Sequence, residues 1–477
     1  MSSFSSKRIG TCLPLTALAG EKVAGESDYL TAGISFARWL SQTGQTIWQV
    51  LPLHQTHLEA GHTGNYVASP YKGYGIGLDP RFLPSQAAPS QGQVDSYSFE
   101  QFVNEHGFWL ADYALFCSLR DYFDSDNWTS WPEALRNRKP QALKDWSLRL
   151  QVATEQQLKL QWRLHAAYRD FKEKVNDLNI ELIGDAAFYL PLNSPLVWVY
   201  QDLFVIGKDG SLPRVSGIPA GLHTHYGRQV WGHPLYRWHE PDKHQQILKL
   251  WQTRLIYLSF IYDILRLDHA KGFFTYGSID PFHSKNDKLL SGPGETVLKA
   301  VITSARQAGL EVIAEDSGGW ARPLRLAISK WHVPGMKILR FALLPRTEGL
   351  QVNTDYAQVT KYPVNCVAYT TTHDTEPLVS YLTSLPDSAR RILAQKAKIT
   401  YSEDTSKLAV RLRQALLNSP ARIILLPLQD WLLSAERINT PGTEQAVNDP
   451  NWRFHLHLPI DQLPVEPIKK EVATATH

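Results

Sequence analysis

The sequence predicts an α/β fold, a (β/α)8 TIM barrel with mostly helical and irregular insertions between its strands. Short apolar runs recur along the 477 residues with helical patterns between them, as in a parallel sheet whose strands are buried on both faces. Several of these runs end in an acidic residue, and barrel enzymes draw their catalytic groups from the C-terminal ends of several strands. The turn GxGxxG, which is typical of doubly wound sheets, does not occur. The barrel is therefore favoured over the doubly wound alternative.

Seven apolar runs are predicted to be strands of this barrel. They are residues 46–53, 180–185, 262–268, 311–316, 336–342, 365–374 and 421–430. Between the first two runs, apolar residues at helical spacing predict one face of a helix: Leu160, Leu164, Tyr168, Phe171 and Val175. The alternation of strands and helices implies right-handed crossovers within one sheet.

We expect one catalytic barrel over residues 1–464, interrupted by two insertions. Residues 84–179 are too long for one crossover, and they begin as a Pro/Ser/Gln loop before becoming helical. Residues 193–240 are rich in Gly, Pro, His and Trp, which favours a loop-rich insertion over the active site. Residues 465–477 are expected to be a mobile tail.

Composition excludes several functional classes. Lys and Arg number 49 against 46 for Asp and Glu, so the sequence lacks the charge excess of a dedicated nucleic-acid binder. No apolar run approaches the roughly 18 residues needed to cross a membrane. Neither nucleic acid nor membrane is therefore an expected partner.

Cysteine usage points to a reducing compartment. The three cysteines, Cys12, Cys117 and Cys366, are an odd number and widely spaced, which predicts no disulfide framework and no CxxC metal site. Cys117 lies in an apolar helical pattern and is expected to be a buried thiol. The N-terminal apolar stretch imitates a signal peptide, but it is brief and contains Pro14. A cytoplasmic location is favoured over secretion.

Three carboxylates follow predicted strands: Asp268 in RLDHAKGF, Glu315 in IAEDSGG and Asp374 in TTHDTE. Glycoside cleavage needs two carboxyl groups in different protonation states, and a third can stabilise the oxocarbenium-like charge. Arg266 should share a strand face with Asp268 and lower the pKa of that carboxylate. The alternative that Arg266 and Asp268 only form a structural ion pair stays open from the sequence.

A metal site is a further alternative for the same residues. Asp268 with His269, and His373 with Asp374, are His/Asp pairs of the kind that can bind metals. Neighbours on a strand point to opposite faces, however, so each pair would supply at most one ligand. We therefore expect no metal.

In these motifs the chain resembles the 4-α-glucanotransferases, also called amylomaltases or disproportionating enzymes, which are relatives of the α-amylase barrels. The resemblance runs from about Arg8 to Phe454, and it places the first barrel strand near the N-terminus. An ordered set of motifs carries it: WQVLPL at 48–53, SPY at 69–71, WLADYALF at 109–116, IGD at 183–185, WGHPLYRW at 231–238, PGMKILRFA at 334–342, ERINTPGT at 436–443 and NWRF at 451–454. The order of the motifs is more specific than any one of them.

The resemblance implies a retaining, double-displacement transfer of α-1,4-glucan segments between maltooligosaccharides, which serve as donor and acceptor, without cofactor or metal. Asp268 matches the nucleophile, Glu315 the general acid and base, and Asp374 the transition-state stabiliser. Further residues match substrate-binding positions: Tyr71, Asp185, Trp231, Arg266, His269, His373 and Asn451. An α-glucan hydrolase on the same barrel and a catalytically silent glucan-binding protein are the alternatives.

The chain also departs from the family pattern. Thr375 and Glu376 stand where the family has Asn and Asp, Lys271 replaces an Arg, and His233 replaces an Asn. Residues 220–223 replace an acidic and aromatic loop segment. The sequence leaves the preferred glucan length, the acceptor, the transfer-to-hydrolysis ratio and the oligomeric state open.

Overall fold

The computed structural model describes residues 7–18, 22–23, 26–58, 66–84, 97–219, 227–346, 349–443 and 450–475. Within this part of the chain, eight parallel strands form one sheet. They are β1 Arg8–Cys12, β2 Ile47–Gln49, β3 Glu181–Ala186, β4 Ile264–Leu267, β5 Glu311–Ala314, β6 Gly335–Ile338, β7 Cys366–Tyr369 and β8 Ile423–Pro427. All seven runs predicted from the sequence are among them.

The sheet curves into a barrel. Neighbouring strands follow the order β5, β4, β3, β2, β1, β8, β7 and β6. Between β5 and β6, at the remaining gap, the amide of Ala314 donates to the carbonyl of Pro334 at 2.9 Å. The predicted (β/α)8 fold is thereby confirmed.

Apolar side chains fill the interior of the barrel. The interior cluster consists of Ile47, Ile183, Ile264, Ile313, Met336, Ile338, Val367, Tyr369, Ile423 and Leu425. Strand pairing leaves no room for a side chain at Gly10, where an added Cβ would lie 2.0 Å from the carbonyl oxygen of Ile47. Glycine at this position therefore permits the close approach of β1 to β2.

Helices surround the strands. They are α1 Tyr29–Gln42, α2 Phe99–Phe123, α3 Glu133–Arg136, α4 Pro140–Arg149, α5 Gln151–Asp177, α6 Pro195–Val199, α7 His244–Ile261, α8 Glu295–Gln307, α9 Arg322–Lys330, α10 Thr354–Ala357, α11 Leu378–Ser384, α12 Asp387–Ala397, α13 Thr405–Leu417, α14 Leu428–Leu432 and α15 Glu466–Ala475. The predicted helical face lies on α5, where four of its five residues are buried and Leu160 is half-buried.

The stretch 84–179 contains helices α2 to α5, and Ser98 begins α2 with a capping box that pairs it with Gln101.

The stretch 193–240 contains α6 and two antiparallel strands, Val215–Ile218 and Gln229–Pro234. The first of these strands contacts a second antiparallel pair, Thr275–Ser278 with Lys288–Ser291, through a bridge between Val215 and Ile279. Short antiparallel strands thus lie beside the C-terminal end of β4. A third such pair joins His54–Thr56 to Gly73–Leu78, and the remaining short strands are Lys22–Val23 with Glu26–Ser27 and Leu343–Arg346 with Gly349–Val352.

The C-terminal segment differs from the mobile tail expected from the sequence. Residues 466–475 form α15, and Ile468 and Val472 are buried against the main core. Glu471 forms an ion pair at 2.5 Å with Arg413 of α13. Burial of two apolar residues and a mostly buried ion pair hold this helix on the barrel, so the expectation of a mobile tail is wrong for these residues.

Cys12, Cys117 and Cys366 are all buried and unpaired. Burial raises the pKa of Cys117 to about 11 and that of Cys366 to about 12, so both remain neutral thiols, as the sequence indicates for Cys117. None of the described helices combines the length and the hydropathy needed to cross a membrane.

Candidate active site

A cavity of about 630 Å³ opens at the C-terminal ends of the barrel strands. Most of the site residues predicted from the sequence line it: Tyr71, Trp231, Arg266, Asp268, His269, Glu315, His373 and Asp374. Asp185 and Asn451 are not among the lining residues. The structure thus brings all three predicted catalytic carboxylates to one concave surface.

Asp268 and Glu315 each lie one residue beyond a barrel strand. The amide of Asp268 donates to the carbonyl of Ala186 at 3.2 Å, and the amide of Glu315 donates to the carbonyl of Leu267 at 3.0 Å. Sheet hydrogen bonding therefore continues past the ends of β4 and β5. Because the strands are parallel, both carboxyl groups lie at the same mouth of the barrel.

Asp374 lies further from its strand, in the turn after β7. Another strand-end acid, Asp430, is buried and accepts hydrogen bonds from the hydroxyls of Thr370 and Thr371 and from the amide of Leu378. Asp430 therefore fixes the segment that leads to Asp374 instead of facing the cavity.

Arg266 connects the carboxylates of the site. Its Nη2 lies 2.6 Å from Asp185 Oδ2 and 2.9 Å from Asp268 Oδ1, and its Nη1 lies 3.1 Å from Glu315 Oε2. Asp268 retains 23% exposure of its side chain. The Arg266–Asp268 ion pair that the sequence leaves open is therefore present, on a carboxylate that also faces the cavity.

Asp185 lies behind the cavity. Its side chain is 0% exposed, it accepts two hydrogen bonds from Arg266, and the hydroxyl of Tyr71 donates to it at 2.5 Å. The predicted contact of Asp185 with substrate does not agree with this position. Asp185 instead holds Arg266 and Tyr71, which do line the cavity.

The pKa values of the Asp268 and Glu315 carboxyl groups are shifted in opposite directions. Burial raises the pKa of Asp268 well above its usual range, and the facing Glu315 adds to the effect of burial. Burial also opposes ionisation of Glu315, but Arg266, Lys271 and the amide of His269 at 2.9 Å outweigh it and lower the pKa of Glu315. Arg266 acts on Asp268 in the predicted direction. The net shift is nevertheless the opposite of that predicted, because burial and the second carboxylate have the larger effect.

His373, Asp374 and Asn439 form a charged unit. His373 Nε2 lies 3.3 Å from Asp374 Oδ2, and Asn439 Nδ2 donates to Asp374 Oδ1 at 2.7 Å. Although burial disfavours the imidazolium, Asp374 raises the pKa of His373 to about 10, and His373 in turn lowers the pKa of Asp374 against the effect of burial. Both groups are therefore charged at neutral pH. The side chain of Asp374 is 40% exposed, so its carboxylate remains accessible from the cavity.

Aromatic rings form one wall beside this unit. Tyr71 stacks on His373 with ring centroids 5.7 Å apart and planes at 16°, and Trp452 lies 5.6 Å from both rings. Tyr71 and His373 line the cavity and Trp452 packs behind them, and the flat ring of Tyr71 with its polar edge suits the face of a sugar ring.

His269 turns the chain directly after Asp268. Its φ of 47° is in the left-handed region, which directs its amide to Glu315. Its ring packs edge-on against Trp231 at 4.9 Å, and Trp231 is held by a hydrogen bond to Gln229 at 2.8 Å. Burial lowers the pKa of His269 to about 3, so the ring is neutral. Its Nε2 has no hydrogen-bond partner within the described chain and can bond to a ligand.

Asn451 supports a loop at the cavity edge. It accepts a hydrogen bond from the amide of Thr440 at 2.7 Å and donates to the hydroxyl of Thr443 at 2.9 Å. Asn439 and Pro441 of the same loop line the cavity. Asn451 is therefore placed behind the loop, and the predicted direct contact with substrate does not agree with its position.

Sequence reasoning missed several lining residues: Lys72, Tyr189, Trp320, Phe341, Tyr356 and Asn439. Asn439 lies inside the motif ERINTPGT, so its proximity to the site could have been suspected. Trp320 follows Glu315 by five residues, and this short separation could also have indicated that Trp320 lies near the site. Phe341 lies inside the motif PGMKILRFA and Lys72 directly follows the motif SPY, whereas Tyr189 and Tyr356 follow from tertiary packing alone.

The departures from the family pattern have local explanations. Glu376 forms an ion pair with Arg340 at 2.7 Å, and the hydroxyl of Thr375 closes a turn with Thr372. His233 lines the cavity, and burial lowers its pKa to about 3. The segment 220–223 lies outside the described residues. In the described part of the chain, no group of three or more His, Cys, Asp or Glu side chains is arranged to hold a metal ion.

Comparison with known proteins agrees with this fold and identifies the family. A family model described as 4-alpha-glucanotransferase matches residues 13–77 and 78–459. The 4-alpha-glucanotransferase of Aquifex aeolicus is 26% identical over 456 residues, covering 88% of this chain and 90% of that protein. The enzyme of the same name from Clostridium butyricum is 28% identical over 458 residues, with the same coverage. An amylomaltase structure from Streptococcus agalactiae in complex with acarbose superposes with a TM-score of 0.80 at 22% identity, covering 98% of each chain.

Proposed function

The chain belongs to the 4-alpha-glucanotransferase family, and on that basis we propose that it transfers α-1,4-glucan segments between maltooligosaccharides with Asp268, Glu315 and Asp374 as catalytic residues. One observation carries the residue assignment. Carboxylates from three strand ends line a single cavity, and Arg266 forms ion pairs with two of them.

In the first half-reaction, a carboxylate oxygen of Asp268 attacks the anomeric carbon of the donor glucan. The new carbon–oxygen bond forms as the bond to the leaving 4-oxygen breaks, and Glu315 gives its proton to that oxygen. The donor segment is then an ester of Asp268, and the leaving glucan departs with a free 4-hydroxyl.

In the second half-reaction, the 4-hydroxyl of an acceptor glucan loses its proton to Glu315 and attacks the same anomeric carbon. The ester bond to Asp268 breaks, and an α-1,4 bond forms with retention of configuration. Both catalytic groups return to their starting protonation states, so the cycle needs no further reactant.

Glu315 must carry a proton when Asp268 attacks. In the free site Asp268 is the more basic of the two groups, because burial and the facing Glu315 raise its pKa while Arg266 and Lys271 lower the pKa of Glu315. Transfer of a proton from Asp268 to Glu315 produces the reactive form. Arg266, which lies within 3.1 Å of both carboxyl groups, stabilises the pair in either arrangement.

Asp374 supplies the third charge. The His373 ion pair and the hydrogen bond from Asn439 fix its carboxylate, so a negative charge is present before positive charge develops on the donor sugar. Tyr71, which lines the cavity and packs against Trp452, offers a surface for the ring of that sugar.

The proposal extends to the setting of the reaction. Donor and acceptor are α-1,4-glucans, which places the enzyme in glycogen, starch or maltodextrin metabolism. Three buried, unpaired cysteines favour the reducing cytoplasm as its location.

Maltotriose is the substrate that tests this proposal. The purified chain should convert it to glucose and a ladder of longer maltooligosaccharides while the total number of reducing ends stays nearly constant. Asp268→Asn should abolish the ladder, whereas Asp461→Asn, a matched change of an exposed aspartate outside the cavity, should leave it intact. Rising reducing ends without longer products would instead establish hydrolysis. Turnover by Asp268→Asn at the parent rate would remove the nucleophile assignment.

A further inference from the structure

The segment from Ser317 to Trp320 folds around a buried lysine. Lys271 Nζ donates to the carbonyl of Ser317 at 3.2 Å and lies 5.2 Å from the centroid of the Trp320 ring. A Cβ added at Gly318 would come within 3.0 Å of the same nitrogen. Lys271 is only 8% exposed. Its ammonium therefore contacts this segment at Ser317 and Trp320 and lies close to the backbone of Gly318.

The backbone of this segment adopts conformations that need support. Gly318 has φ of 82° and Trp320 has φ of 44°. A left-handed conformation is ordinary for glycine but a genuine outlier for a bulky residue. Such strain persists only where the surroundings hold it, and it is concentrated at functional sites. In this segment the ammonium of Lys271 contributes to that support. Arg325 contributes as well, since its Nη2 donates to the carbonyls of Asp316 at 2.9 Å and of Gly318 at 3.5 Å.

Lys271 has no acidic partner within ion-pair distance among the described residues. A buried ammonium is normally paired with a carboxylate. Here its direct contacts are a loop carbonyl and an indole face, the second of which is a cation–π contact. This arrangement favours a role in positioning the segment.

The segment lies on the Glu315 side of the cavity. The hydroxyl of Ser317 donates to Glu315 Oε1 at 3.0 Å, and both Ser317 and Trp320 line the cavity. In a retaining transferase the general acid and base touches the leaving-group oxygen and later the acceptor hydroxyl. Side chains beside Glu315 therefore face the leaving and accepting sugar, on the far side of the cleaved bond from the covalently held one.

Trp320 has an unused hydrogen-bond donor at this place. Its Nε1 is buried and has no partner within the described chain. A tryptophan side chain combines a flat apolar face with an N–H donor, which matches a sugar face bordered by hydroxyls. Water cannot stack on the flat ring face, whereas a glucose unit can stack on that face and also accept a hydrogen bond from the N–H.

We propose that Trp320, positioned by Lys271, determines that a glucan and not water accepts the donor segment from Asp268. Trp320 binds the first sugar of the acceptor through its ring face and indole N–H. Lys271 is a positioning residue that fixes Ser317 and Trp320. This inference rests on the proposed transferase function and assigns the acceptor side of the same site.

The test measures the ratio of transfer to hydrolysis with maltotriose, together with the rate of donor cleavage. Trp320→Ala should lower the ratio about tenfold or more, with a smaller change in cleavage rate, because the donor side and the carboxylates are unaltered. Trp320→Phe should be intermediate, since it keeps a ring but lacks the N–H. Phe282→Ala, which removes an exposed aromatic residue outside the cavity, serves as the matched control and should leave the ratio at the parent value.

Lys271 variants separate positioning from folding. Lys271→Met should lower the ratio in the same direction as Trp320→Ala, and Lys271→Arg should recover most of it because an Arg can reach the same carbonyl and ring. If Trp320→Ala does not fold, as judged by circular dichroism, Trp320→Phe and Lys271→Met decide the question.

An unchanged ratio in Trp320→Ala would overturn the inference, as would an equal fall in cleavage and transfer. Failure of the proposed function looks different. In that case the unaltered chain itself would fail to lengthen maltotriose, and no ratio would exist to compare.

Discussion

Replacement of Arg266 by methionine should destabilise the barrel through a buried carboxylate. Asp185 is 0% exposed, and without the guanidinium it would keep only two uncharged donors, the Tyr71 hydroxyl at 2.5 Å and the Gln49 side-chain amide at 3.4 Å. Removing one partner of a buried ion pair costs about 3–5 kcal/mol, because the remaining charge is left uncompensated. Asp268 and Glu315 are 23% and 20% exposed, so water can solvate them and they add less. We therefore expect the free energy of unfolding to fall by about 3–5 kcal/mol.

Urea unfolding followed by circular dichroism measures this change. The difference in the free energy of unfolding is the shift in the urea midpoint multiplied by the slope m that the two proteins share. Methionine keeps much of the apolar volume of the arginine stem, so the loss reports charge more than packing. The double variant Arg266→Met with Asp185→Asn should recover more than half of the loss, because an amide carries no charge. A single variant within about 1 kcal/mol of the parent, or a double variant no more stable than the single one, would refute the reasoning.

Three further predictions concern pH and positioning. The rate of transfer should fall at alkaline pH, when the Asp268–Glu315 pair loses the proton that the leaving oxygen needs. Because burial raises the pKa of Asp268, this fall should occur at a pH well above the ordinary carboxyl range. A pH profile of kcat/KM whose alkaline limb lies in the ordinary carboxyl range would contradict this. Burial lowers the pKa of His54 to about 3, whereas His54 in the unfolded chain takes up a proton near pH 6.5. The free energy of unfolding should therefore fall as pH drops from about 6.5 towards 3, with His54 contributing up to about 1.4 kcal/mol per pH unit. The variant His54→Gln should show a correspondingly shallower dependence in urea titrations, and an equal slope would count against the assignment. Asn439→Ala should lower kcat about 100-fold with little change in unfolding free energy, because Asp374 loses a hydrogen bond that orients it. A kcat within threefold of the parent would show that this hydrogen bond is not needed to orient Asp374.

The sequence predicted the barrel and the position of its three carboxylates because both depend on local pattern. Continuous apolar runs fit strands buried on both faces, and the C-terminal ends of such strands form the barrel mouth. Asp268 and Glu315 directly follow β4 and β5, and Asp374 lies in the turn after β7. The helical face ending at Val175 was predictable for the same reason, since its spacing is set by the helix itself.

Long-range packing decided what the sequence could not show. Asp185 lies at the C-terminal end of β3, much as Asp268 directly follows β4. The sheet register, however, places Arg266 level with Asp185, and the ion pair between them holds the Asp185 carboxylate behind the cavity. The proton distribution between Asp268 and Glu315 depends on burial and on their mutual distance. The contact of Lys271 with the Trp320 ring joins two residues that are 49 positions apart in the sequence. None of these relations is contained in a local pattern.

The covalent attachment of the donor to Asp268 is the central claim, and mass spectrometry tests it directly. The variant Glu315→Gln should react with an α-maltosyl fluoride, because fluoride leaves without the help of an acid. The resulting maltosyl-enzyme should hydrolyse slowly, because the variant lacks the base that activates water. The account predicts one maltosyl unit on the proteolytic peptide that contains Asp268, released by mild alkali as expected for an ester. An adduct on another residue, or fluoride release without any adduct while the donor is transferred, would contradict the account.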